Sequence, residues 1–119
     1  MKNQDIWDAY EGLSELSNNN IKFKAVTSFL LAKNKRTLEP IYKALIETRE
    51  KLFKKYGEQV EEGWRIPKEN TDLFKNEFNI LMDTETYINI DKIPIENFED
   101  EKIEINLMEK LTPLIEYKK

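Results

Sequence analysis

The sequence predicts a mainly α protein with a small β part, an α+β domain formed by a single unit over residues 1–119. Three observations predict it. Apolar residues recur at helical spacing over residues 3–17, 21–56 and 70–83. A short glycine-centred hairpin pattern interrupts them at residues 58–66. Beyond Glu85 the period changes to alternation. The expected architecture is a long helix, bent or split at Pro40, packed with two or three shorter helices, a short hairpin and short extended segments.

The first helix is expected over residues 3–17. Ile6, Ala9/Tyr10, Leu13 and Leu16/Ser17 lie on one stripe, with Trp7 on its flank. Asn3 is the expected N-cap, and Asp5 suits the first turn of the dipole. Asn18-Asn19-Asn20 is the expected stop, because asparagine tolerates left-handed geometry.

Residues 21–56 predict the long helix. Phe23, Val26 and Phe29/Leu30 mark its first part as apolar. Leu38, Ile41/Tyr42, Leu45/Ile46, Leu52/Phe53 and Tyr56 mark its second. Between them, Lys33-Asn34-Lys35-Arg36 is fully polar, and Pro40 cannot donate to the carbonyl of Arg36. One bent helix is the favoured reading. A second helix starting near Thr37 or Glu39 is the alternative. Lys54-Lys55 and Gly57, expected left-handed, mark the end. A helix of this length is about 54 Å long. A compact chain of this size has a radius of gyration near 14 Å. Such a helix protrudes, bends or lies against a second chain.

Glu62-Gly63 is the expected hairpin turn between Val60 and Trp64. Pro67 leads to a third helix over residues 70–83, with Leu73/Phe74, Glu77/Phe78 and Leu81 as its stripe. Thr86, Ile88 and Ile90 then alternate with polar positions as in a strand. Pro94 requires Ile93 to be extended. Glu99-Asp100-Glu101 reads as a solvent loop, and Ile103/Ile105 alternate again. Asn106 to Glu109 resembles a capping box opening a last helix. Leu107, Leu111, Leu114 and Ile115 face it inward, and Pro113 limits it.

Composition narrows the chemistry. The chain has no cysteine and no histidine. Disulfides, thiol nucleophiles, Cys/His zinc sites and histidine-based triads are therefore excluded. Its three glycines, at 12, 57 and 63, build no phosphate-cradling loop. Carboxylates crowd residues 83–104 without EF-hand spacing, so a solvated acidic surface is the expected reading there. Asp100-Glu101-Lys102 matches half of a common nuclease signature, a match that composition alone produces. No enzyme and no cofactor are expected.

Charge is divided unevenly around a net −4. Residues 1–60 carry 11 basic and 8 acidic side chains, and residues 61–119 carry 8 and 15. Residues 21–56 alone hold 10 Lys/Arg against 3 Glu. Lys33, Lys35, Arg36 and Lys43 are the candidate partner-binding cations. Trp64 is the candidate aromatic anchor, because a short hairpin rarely buries a tryptophan. Nucleic acid is not the expected partner at this overall charge, and no apolar run is long enough to span a bilayer.

The run Leu52-Phe53-Lys54-Lys55-Tyr56-Gly57-Glu58, the hairpin, Phe74 to Leu81, Glu85-Thr86-Tyr87-Ile88-Asn89-Ile90 and the Leu-rich last helix carry a resemblance. So does the Lys33-Asn34 pair within the long helix. Together they resemble an uncharacterised family of small proteins of tailed bacteriophages and prophages. With the overlong helix, the oppositely charged halves and the lack of catalytic groups, a non-enzymatic phage protein working through protein–protein contacts is expected. A self-associating virion or assembly component is the leading expectation. An acidic accessory protein that inhibits a host enzyme or defence complex is the alternative. An oligomeric protein sequestering a small ligand near Arg36, Arg49 or Arg65 is a third. The expected partners are further copies of the chain and a phage or host protein. The expected location is the host cytoplasm, extending to the virion.

Overall fold

A computed structural model describes residues 1–99 and 101–117 of the chain. Four helices form its frame: α1 (Asn3–Asn18), α2 (Ala25–Tyr56), α3 (Thr71–Asp83) and α4 (Ile105–Leu111). The hairpin pairs β1 (Glu58–Val60) with β2 (Gly63–Arg65). A two-residue parallel pair joins β3 (Ile93–Pro94) to β4 (Ile115–Glu116), with Ile93 opposite Ile115. Single 3-10 turns precede α3, follow β3 and follow α4.

α1 and α2 lie antiparallel. Trp7 and Tyr10 meet Tyr42 at ring separations of 4.9 and 4.3 Å, while Leu16 and Leu31 line the same cleft at the other end. Ile6, Ala9, Leu13 and Leu16 turn inward from α1, as their spacing predicts. They meet Leu38 of α2 on one side. On the other they meet Ile93, Phe98, Leu107, Leu111, Leu114 and Ile115. The main core therefore lies between α1 and the C-terminal segments, with α2 along its edge. A second, aromatic cluster holds α3 and the hairpin to the C-terminal end of α2. Phe53 stacks on Trp64 at 6.4 Å and on Phe74 at 5.1 Å.

α2 runs unbroken for 32 residues through Pro40. The alternative break is absent, and the helix begins at Ala25 rather than at 21. Pro40 sits on the water-facing side, where solvent replaces the donor that the Arg36 carbonyl loses. The polar run at 33–36 does not interrupt the helix, because Asn34 alone turns inward and is bonded there. At 1.5 Å per residue α2 is about 48 Å long, against molecular extents of 50 × 30 × 23 Å. One helix thus sets the length of the molecule.

Several expected local features differ. Asn3 is inside α1, not its cap. It is buried, its Nδ2 donates to Leu81 O at 2.8 Å, and its Oδ1 accepts from the Thr86 hydroxyl at 2.6 Å. The Asn run ends α1 in extended geometry, with Asn19 at ψ 144°. Gly57 is extended at φ −111° rather than left-handed. Space requires glycine there: a Cβ would lie 2.7 Å from Phe53 O and 3.0 Å from Ile66 Cδ1. The hairpin turn is Glu61-Glu62, one residue earlier than expected, and Gly63 closes the ladder opposite Val60 at φ +127°. Glu104, not Asn106, precedes α4, and Ile105 is exposed in its first turn. Leu107, Leu111, Leu114 and Ile115 are buried as expected. Asp100 of the expected acidic loop lies outside the described residues.

The strand expected at 86–90 is not formed. Its alternation holds, with Thr86, Ile88 and Ile90 half-buried and Tyr87 and Asn89 exposed. Among the described residues no neighbouring strand runs beside it. The segment is instead fastened at two ends. Lys2 bridges Glu85, and Thr86 N donates to Met1 O at 2.9 Å. Asn34 then acts as a substitute ladder: its Nδ2 donates to Asp91 O at 2.8 Å and its Oδ1 accepts from Asp91 N at 3.1 Å.

Candidate docking site on the long helix

Because only one edge of α2 meets the core, its opposite face is open along most of its length. Positions 29, 33, 36, 40, 43, 47, 51 and 54 are exposed and recur at helical spacing. Lys33, Arg36, Lys43, Lys51 and Lys54 fall on this strip, against a single carboxylate, Glu47. Its N-terminal end is apolar. Val26 is 68% exposed and Phe29 63% exposed. A shallow hollow there is lined by Phe29, Ala32, Lys33, Arg36 and Thr37. The strip therefore offers two exposed apolar side chains beside several cations, a combination suited to an acidic protein surface with apolar residues of its own.

Three of the sequence-predicted cations, Lys33, Arg36 and Lys43, share this strip. Lys33 already pairs with Asp91, and Lys43 lies 3.7 Å from Glu39. Both pairs are largely exposed, so each is worth little. Arg36 makes no ion pair with a described residue. Lys35 faces another way. It lines a cleft of about 510 Å³ between the end of α1 and α2, with Leu13, Leu16, Phe23, Leu31 and Glu39. Glu39 there accepts from the Tyr10 hydroxyl at 3.3 Å.

Trp64 belongs to the aromatic cluster. Its ring lies nearly parallel to Phe53, at 9°, so the hairpin's tryptophan is spent largely on its own helix. Arg49 lies 5.1 Å over Trp7 and 5.8 Å over Phe53, a cation between two aromatic faces. Arg65 pairs with Glu58 on the hairpin at 3.2 Å. Burial and the nearby Glu11 carboxylate raise the Tyr42 pKa, so this ring stays neutral. On the α2–α3 seam, the Tyr56 hydroxyl and the Lys55 ammonium lower the Glu77 pKa. Lys55 lies 3.2 Å from Glu77, and Tyr56 and Glu77 raise its pKa.

The apolar end of the strip is the part that sequence reasoning misplaced. Of the residues that mark the first part of the expected long helix as apolar, Phe23 and Leu30 pack against the core, whereas Val26 and Phe29 are exposed. The buried line of α2 is instead Thr27, Asn34, Leu38, Leu45 and Leu52. Leu38, Leu45 and Leu52 lie on the expected stripe, while its two polar members, Thr27 and Asn34, fall in the N-terminal half, where hydrophobic periodicity does not mark the inward side. Among the described residues no group of three carboxylates comes together to hold a metal ion, and no helix is long and apolar enough to cross a membrane.

Compared with protein-family models, with curated proteins and with solved structures, the chain matches none.

Proposed function

We propose that the chain is a non-enzymatic protein of the tailed-phage and prophage type that works through protein–protein contacts and self-associates as a virion or assembly component. One observation carries the reading: the outward strip of α2, where exposed Val26 and Phe29 adjoin Lys33, Arg36 and Lys43. The exposed area supports it. The chain exposes 8472 Å², whereas a compact monomer of its mass exposes about 6,800 Å². The surplus, about 1,700 Å², is about twice the surface that one chain contributes to a standard interface. Its place of action in this reading is the host cytoplasm and the assembling particle.

Native mass spectrometry of the freshly purified protein tests the reading. The expected result is a discrete multi-chain species without added mass. A monomer at high protein concentration overturns self-association and favours the acidic accessory-inhibitor reading. An oligomer with bound mass would point instead to a ligand in the cleft beside Lys35 and Arg36.

A further inference from the structure

A second unpartnered face lies at the other end of the molecule. On α3, Leu73 is 51% exposed and Ile80 is 68% exposed, two helical turns apart on one side. Tyr87, just beyond the helix, is 93% exposed. Asp72, Asp83 and Glu85 border these residues, are exposed, and form no ion pair with a described residue. The cation of α3, Lys75, sits about 140° around the helix from Ile80 at 100° per residue. This face is therefore apolar and acidic where the N-terminal strip of α2 is apolar and basic.

The two faces are far apart. α3 is fixed to the C-terminal end of α2 through Phe74 on Phe53, Lys55 with Glu77, and Asn70 Nδ2 donating to Tyr56 O at 3.0 Å. Phe29 and Phe53 are separated by about 36 Å of helix. One chain cannot bring its own two faces together. Two copies can.

Resting on the self-association reading, we infer that the α3 face of one copy (Leu73, Ile80, Asp83) is the partner of the α2 face (Val26, Phe29, Arg36) of the next. Charge decides against the symmetric alternatives. Placing two α2 faces together opposes Arg36 and Lys33 with themselves, and placing two α3 faces together opposes Asp72 and Asp83. The unlike pairing covers apolar surface on both sides and matches opposite charges. Made once between neighbours, such a contact is heterologous and propagates head to tail into a ring or a filament; made twice between the same two copies, it closes a two-fold dimer.

Two neutral variants test the pairing. Phe29→Ser with Arg36→Gln removes one face, and Ile80→Ser with Asp83→Asn removes the other. All four side chains are exposed, so thermal unfolding is expected to stay near that of the unmodified chain. Each variant alone is expected to be monomeric in native mass spectrometry and sedimentation, with self-affinity lowered about 100-fold or more. Mixed in equal amounts, they retain one intact face each and form a two-chain complex that grows no further. If only one variant loses assembly, or if the mixture stays monomeric, the pairing is overturned while self-association stands. If the unmodified chain is itself monomeric, self-association fails, and the pairing with it.

Discussion

Asn34 shows how one residue replaces an element. It is fully buried, yet both ends of its amide are used on the backbone of Asp91. Asn34→Ala would leave the partly buried N–H and carbonyl of Asp91 without these partners, at about 1–2 kcal/mol each. A loss of about 2–4 kcal/mol in urea unfolding is expected, with α2 itself still helical by circular dichroism. Glu77 offers a pH-dependent counterpart. Its folded pKa lies below its ordinary value, so it stabilises the fold above that ordinary value, and the stabilisation disappears as pH falls through the folded one. Glu77→Gln is therefore expected to lower Tm slightly near pH 7, a difference that closes as pH falls through the folded pKa. Neither role was readable in advance. Asn34 sat in a polar run, where nothing local distinguishes the one buried amide from the three cations beside it. Glu77 was visible only as a polar interruption of the α3 stripe.

At the scale of elements, the sequence is most legible where burial is one-sided. α1 and the last helix match their stripes, because each has a single core to face. α2 matches in part: Leu38, Leu45 and Leu52 are buried as its stripe predicts, whereas Val26 and Phe29 near its start are exposed. Its docking strip was legible only through the lysines and Arg36. Alternation at 86–90 correctly identified which side chains face inward. It could not disclose that no strand among the described residues lies beside them, since pairing depends on a partner distant in sequence. Pro40 is the clearest element-level test. It occupies an exposed helical position with an otherwise regular helix on both sides. Pro40→Ala would restore a donor to the Arg36 carbonyl and is expected to stabilise by about 1–3 kcal/mol. A Tm raised by several degrees would show it, and an unchanged or lower Tm would mean that α2 depends on the proline's geometry.

The whole molecule is long rather than round. Its Cα radius of gyration is 16.9 Å, against about 13.5 Å for a compact chain of equal length. X-ray scattering at high dilution is expected to give the larger value, corrected for hydration. Salt should act on the assembly more than on the chain. The faces inferred to meet are charged, and the screening length falls from about 8 Å at physiological ionic strength to about 3 Å at 1 M. Raising salt is thus expected to shift the sedimentation distribution toward single chains while Tm changes little. An assembly that tightens with salt would instead be held by apolar surface alone.

The fastening of residue 91 to residue 34 also orders events in time. α1, α2 and the turn between them are contiguous over residues 1–56, so their contacts close short loops and can form early. Residues 85–117 reach the same core only by returning from far along the chain, and β3 and β4 pair across it. The Asp91 amide hydrogen is protected by a side chain of α2, not by a neighbouring strand. In pulsed hydrogen exchange during refolding, it should gain protection after the amides of α2 and together with those of β4. In the native state it should exchange with the C-terminal segments as one opening unit, making a single proton the clock for the last step of folding.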